Sequence, residues 1–172
     1  DLAGGEHKSP EFLAMNPNGQ VPVLQDGDVT VSDSNAILVY LARTYAPDWM
    51  PSTPIDEANV QRWLTLAAGE VAFGSCAARL ITVFGAPLDV DFADATATKA
   101  MQKLEHGLEG RDWLVSDRPT IADVANYSYT AHAPEGNVSL DPYPNVRAWL
   151  ARFEALPGFQ AMPATAVGLA AE

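Results

Sequence analysis

The sequence is short of cysteine, of basic residues and of long apolar runs. Its one cysteine, Cys76, cannot close an internal disulfide, which removes the disulfide-stapled scaffolds of secreted proteins. Against 22 Asp+Glu there are only 10 Lys+Arg, a formal net charge of -12 over 172 residues. So acidic a chain is repelled by phosphate backbones and anionic leaflets, and neither nucleic acid nor a membrane is expected as a partner. No run approaches the roughly 20 apolar residues that a membrane-spanning helix needs. The opening stretch, Asp1 to Lys8, has neither an initiator Met nor the cationic-then-apolar pattern of a signal peptide, so a cytoplasmic protein is expected. The histidines His7, His106 and His132 are widely spread, and no metal site is expected.

What is present is ordinary for a globular chain: 48% hydrophobic and 19% charged residues, enough for one domain or two small ones. Pro47, Pro51 and Pro54 interrupt any regular element between Tyr45 and Pro54. A linker over 47–53 is expected there, between a domain at 1–46 and a second at 54–172. Before the linker, Gln20-Val-Pro-Val-Leu24 and Val29-Thr-Val31 are β-rich runs flanking Asp26-Gly27, a dipeptide suited to a hairpin turn because Gly takes positive φ without steric cost. A helix follows from Asp33 or Ser34, with Ile37, Leu38 and Leu41 on one face.

After the linker the period is helical. Thr53-Pro-Ile-Asp56 is a start signal, and Val60, Trp63, Leu64, Ala67 and Val71 form a stripe that runs on toward Ile81 before Gly85-Ala-Pro87 stops it. A second helix is expected over about 91–109 from Ala97, Met101, Leu104 and Leu108. A third begins at Thr120, and a fourth carries Val146, Trp149, Leu150 and Phe153 up to Pro157-Gly158. From Gln160 onward an irregular or frayed tail is expected.

The informative stretch is Asn16-Pro-Asn-Gly-Gln-Val-Pro-Val-Leu24 followed by Ser32-Asp-Ser-Asn-Ala-Ile37, with Arg118-Pro-Thr-Ile-Ala-Asp-Val124 downstream. These segments, in this order, resemble the glutathione transferases, from about Glu11 to Phe159. The resemblance implies an α+β fold: a thioredoxin-like N-terminal domain, partial here, then an all-α helical-bundle C-terminal domain. It also implies conjugation of the glutathione thiolate to small electrophiles, a detoxification role and a homodimer. Glutathione is then a co-substrate and no metal is used.

In the family the bond matching Val21-Pro22 is cis and turns the valine N–H and C=O toward the cysteinyl backbone of glutathione, as an added strand would. An ordinary trans proline opening an edge strand is the alternative. Asp33-Ser34 stands where a strand becomes a helix. The free N–H groups and dipole of a first turn suit an α-carboxylate, Ser34 can add a hydrogen bond to it, and Asp33 can pair with the γ-glutamyl ammonium. Capping of their own helix, worth about 1 kcal/mol, is the alternative. The glutathione-binding set implied by the resemblance is Gln20, Val21, Pro22, Asp33 and Ser34. Thr120-x-x-Asp123 reads as a capping box serving stability. Tyr127 and Tyr129 point about 200° apart, so at most one of them faces any one partner. Gly69-Glu-Val-Ala-Phe-Gly74 would let a neighbour approach the long helix closely. Because that helix borders the second-substrate pocket in the family, Phe73 and Arg79 are candidates there, with core packing as the alternative.

The Tyr, Ser or Cys that activates the thiol in the family lies in a β-α-β unit ahead of the stretch where Asp1-Leu2 aligns, so no catalytic residue is named. Depressing a thiol pKa of about 8.5 by two units takes roughly 2.7 kcal/mol of thiolate stabilisation, the size that one donor and a helix N-terminus supply. A non-catalytic module of the same fold, or a helical binding domain with an accidental hairpin, are the competing readings.

Overall fold

Ser9 opens the first helix of the computed structural model, which describes residues 1–171. Its hydroxyl accepts the Phe12 N–H at 3.1 Å and Pro10 fills the first helical position, where a missing N–H costs nothing. Helix α1 (Pro10–Met15) was not expected from the sequence, although Ser-Pro-Glu at positions 9–11 is a start signal. A 3-10 turn over Glu6–Lys8 precedes it. The chain divides into two units, Asp1–Pro47 and a second from Asp48 onward.

In the first unit, β1 (Val23–Asp26) and β2 (Val29–Ser32) pair antiparallel, with Val23 opposite Ser32 and Asp26 opposite Val29. Gly27, at φ 56, leads the two-residue loop. The first strand begins one residue beyond Pro22, which has no N–H for a ladder. Helix α2 (Ser34–Tyr45) follows at once, capped by the Asp33 side chain on the Ala36 N–H at 2.9 Å. Tyr40 donates to Asp26 at 2.9 Å and Tyr45 donates to the same oxygen, tying the helix to the hairpin. These donors hold the Asp26 carboxyl below its ordinary pKa and raise those of the two phenols.

The second unit is helical. A 3-10 turn, Pro47–Trp49, leads toward it. One continuous helix runs from Pro54 to Phe84: α3 (Pro54–Leu66), a π-helical stretch (Ala67–Cys76) and α4 (Ala77–Phe84). By length and composition this helix could cross a membrane, which corrects the sequence expectation that no run comes close. Its buried side, however, including Val60, Trp63, Leu64, Val71 and Ala78, faces protein. A Cβ added to Gly74 would stand 2.4 Å from the Ala97 nitrogen, so the neighbour that the Gly69-to-Gly74 segment admits is α5 (Val90–Gly107). On α5 the stripe of Ala97, Met101 and Leu104, continued by Leu108, is fully buried.

Helix α6 (Ile121–Ala131) starts with the expected capping box, Thr120 N–H donating to Asp123 at 2.8 Å. The other Asp123 oxygen accepts the Leu114 N–H and the Trp149 indole N–H, each at 3.0 Å, so one carboxylate ties the preceding loop and α7 (Pro144–Glu154) to α6. Burial pushes the Asp123 carboxyl above its ordinary pKa and these donors oppose it. Tyr127 is buried, stacked on Phe153 at 4.6 Å between ring centres and donating to Glu154 at 2.8 Å. Glu105 of α5 receives the Asn145 and Val146 N–H groups at 3.1 and 3.0 Å, supplying an acid to the α7 N-terminus.

Candidate functional site

The turn from Asn16 to Pro22 is built around one buried side chain. Asn16, 4% exposed, accepts the Asn18 N–H at 3.2 Å and donates to the Gln20 carbonyl at 2.7 Å, while its own carbonyl takes the Gly19 N–H at 2.9 Å. Gly19 lies at φ 58, in the left-handed region that glycine tolerates. Lys8 closes the turn from outside, donating to the Gly19 carbonyl at 3.0 Å. Gln20 and Val21 are thereby held out from the protein. Val21 is 53% exposed, its peptide bond to Pro22 is cis, and among the described residues its N–H and C=O have no partner.

On the other side of the same cavity the β2–α2 junction presents Ser32, Asp33 and Ser34. Asp33 sits at φ 80, ψ 127, a conformation that residues with a Cβ rarely adopt and that costs on the order of 1–3 kcal/mol. One Asp33 oxygen caps α2, so the helix-cap role and an outward role coexist in one exposed carboxylate. Ser34 is the first residue of α2 and is also exposed. The resulting open cavity, about 580 Å³, is lined by all five residues expected from the sequence: Gln20, Val21, Pro22, Asp33 and Ser34.

Six further residues outside the expected set also line it: Leu2, His7, Asn16, Asn18, Gly19 and Ser32. His7 faces the cavity with a buried Nδ1 that has no hydrogen-bond partner among the described residues, and Asn16 forms part of its wall. Nothing in the spacing of His7 marks it; the Asn-Pro-Asn-Gly run does announce a turn in which an Asn side chain bonds its own backbone. The arrangement offers a carboxylate and a hydroxyl at one helix mouth, unpaired strand-edge groups in the middle and basic side chains at the turn. It fits a short extended peptide-like ligand carrying charge at its ends.

Phe73 and Arg79 lie on the second unit. Phe73 is 62% exposed, whereas the Arg79 guanidinium donates to the buried Glu135 at 2.7 Å. Of the two tyrosines on α6, Tyr129 is the one that reaches the surface, next to Cys76; burial chiefly raises the pKa of both groups, Cys76 raises that of Tyr129 further, and the hydrogen bond from Tyr129 opposes the rise at Cys76. His132 caps the end of α6. A separate cavity of about 550 Å³ lies between the α3–π stretch and α5, floored by Trp63 and Leu66 and rimmed by Arg62, Lys103 and His106, with Lys103 paired to Glu70 at 2.6 Å.

Family models match both halves of the chain: glutathione S-transferase, N-terminal domain, over residues 1–43, and glutathione S-transferase, C-terminal domain, over residues 88–157. A probable glutathione S-transferase of Oryza sativa subsp. japonica is 35% identical, aligned over 93% of this chain and 80% of its own length. The crystal structure of a glutathione S-transferase from Pseudomonas fluorescens superposes with a TM-score of 0.85 at 32% identity, covering 91% of this chain and 80% of that one. A glutathione transferase homologue from Drosophila mojavensis, solved with bound glutathione, superposes at a TM-score of 0.79 with 28% identity, over 92% of this chain and 74% of that one.

Proposed function

Because this chain belongs to the glutathione S-transferase family and is a transferase with that family's thioredoxin-like and helical domains, we propose that the open cavity of its first unit is where glutathione binds. The observation that carries the reading is the convergence of Gln20, Val21, Pro22, Asp33 and Ser34 on one cavity from two separate segments. The unpaired N–H and C=O of Val21 take the cysteinyl backbone of the tripeptide as a strand edge takes a peptide. Asp33 receives the γ-glutamyl ammonium through the oxygen not engaged with Ala36. Ser34 and the first turn of α2 receive the adjacent α-carboxylate. Lys8 offsets, at the turn, part of the repulsion that a chain of net charge -12 exerts on the glycine carboxylate.

The enzyme conjugates the glutathione thiolate to small electrophiles. Holding the thiol and its electrophile together converts a bimolecular encounter into an oriented one, which supplies part of the rate. Phe73 offers an exposed aromatic face to the electrophile, with Arg79 six residues further along the same helix. We extend the reading to a cytoplasmic homodimer acting in detoxification, as the resemblance implies. Sedimentation at micromolar concentration tests the dimer, and a monomer counts against it. Titration of glutathione against the intact enzyme and against an Asp33→Ala/Ser34→Ala variant tests the site, and equal affinities would remove the assignment.

A further inference from the structure

Of the side chains that line the proposed glutathione cavity, only that of Asn16 is buried, at 4% exposed. Its backbone ends α1, the Asn16 N–H donating to the Phe12 carbonyl at 2.9 Å. Its side-chain oxygen accepts the Asn18 N–H at 3.2 Å, and its nitrogen donates to the Gln20 carbonyl at 2.7 Å. An amide with a donor at its oxygen and an acceptor at its nitrogen has one orientation; reversing it would set oxygen against oxygen and N–H against N–H. The Gln20 carbonyl that Asn16 holds and the Val21 N–H are the two ends of one planar peptide unit, and that unit is trans. In a trans unit C=O and N–H point in opposite directions. Holding the Gln20 oxygen therefore sets the direction of the Val21 N–H, which has no partner among the described residues.

We propose that Asn16 is a positioning residue for glutathione: through the Gln20–Val21 peptide plane it aims the Val21 N–H at the cysteinyl carbonyl of the tripeptide. The inference rests on the reading of the Val21 edge as the place where the cysteinyl backbone pairs. Two physical effects act along the plane. A peptide unit in a turn rotates about its flanking bonds, and a hydrogen bond from a buried donor selects one rotation, so the ligand need not order it on binding. A hydrogen bond accepted at the carbonyl end also polarises the unit and makes its N–H a stronger donor. Because the same residue ends α1, the aim is referred to a helix and not to the turn alone.

The test is a cycle between protein and ligand, run by calorimetric titration on the intact enzyme. The ligands are S-methylglutathione and its thioamide analogue, in which sulfur, a poor acceptor, replaces the cysteinyl carbonyl oxygen. Asn16→Asp keeps an acceptor for the Asn18 N–H but sets oxygen against the Gln20 carbonyl. Asn16→Ser keeps a hydroxyl that can accept the Asn18 N–H and is too short to reach Gln20. In wild type the thioamide is expected to bind about fivefold more weakly than S-methylglutathione. Each variant is expected to bind S-methylglutathione about tenfold more weakly than wild type, and the thioamide then costs it less than about twofold, because the contact is already lost. The KM for glutathione should rise accordingly, with that for 1-chloro-2,4-dinitrobenzene within about twofold of wild type. Variants that bind S-methylglutathione as wild type does, or that still lose the full factor to the thioamide, overturn the proposal. Failure of both variants to fold in thermal melts assigns Asn16 to stability and overturns it as well. Equal binding of the two ligands by wild type removes the Val21 edge itself, a result distinct from the loss of Asn16's role alone.

Discussion

Asp33 does two things that one substitution can separate. Its Oδ1 caps α2 through the Ala36 N–H at 2.9 Å, and its charge faces the cavity proposed for the γ-glutamyl ammonium. Asparagine keeps an acceptor and is about as good a helix cap as aspartate, so Asp33→Asn should leave stability within roughly 0.5 kcal/mol of wild type. What it removes is the charge. A hydrogen bond between charged partners contributes about 1.5–3 kcal/mol, and because Asp33 is exposed the lower end applies, which corresponds to about a tenfold weaker Kd. Asp33→Ala removes both functions and should lose about 1 kcal/mol of stability besides, with some strain left at φ 80. Calorimetric titration with S-methylglutathione, which has no free thiol, together with thermal melts gives both quantities. An Asp33→Asn protein that binds within twofold of wild type would refute the pairing, and one that melts as early as Asp33→Ala would refute the separation of cap from charge.

Gly74→Val places a side chain where a Cβ already meets the Ala97 backbone at 2.4 Å, and a melt should show a loss of about 3 kcal/mol or more; a loss under 1 would mean that α5 yields freely. Asp123→Ala strands the buried donors of Leu114, Thr120 and Trp149 and should cost about 3–5 kcal/mol by urea unfolding, far above the roughly 1 kcal/mol of a simple cap. Glu135 has a folded pKa lowered from 4.5 to about 2, so its contribution is present above pH 4.5 and is lost as pH falls toward 2; Glu135→Gln should flatten that part of the stability profile, and an unchanged acid limb would count against the cluster that His132, Arg79 and the Thr165 N–H form around it. Burial pushes the Cys76 thiol up, so its alkylation at pH 8 should be slower than that of a free cysteine peptide, and equal rates would contradict its setting.

Local chemistry was legible wherever the interaction spans only a few residues. The Asp26-Gly27 hairpin, the Thr53 and Thr120 caps and the stripe of α5 each rest on contacts within one turn or one helical face, so a single sequence states them. Gln20, Val21, Pro22, Asp33 and Ser34 became candidates through the family resemblance that the Asn16–Leu24 and Ser32–Ile37 segments carry, whereas the residues by themselves left a trans proline and a simple helix cap open. What the sequence left undecided depends on which distant groups meet. His7 was silent because its role comes from the cavity it faces, and the alternative roles of Asp33 were compatible because a carboxylate has two oxygens. The Gly69-to-Gly74 segment announced a close approach without naming the partner, since a missing Cβ says that something is near and only packing says that it is Ala97. Arg79, Glu135 and Thr165 are separated by 30 to 86 residues, and periodicity carries no information at that distance. Burial made their charges seek one another, and only the folded chain brings them within reach.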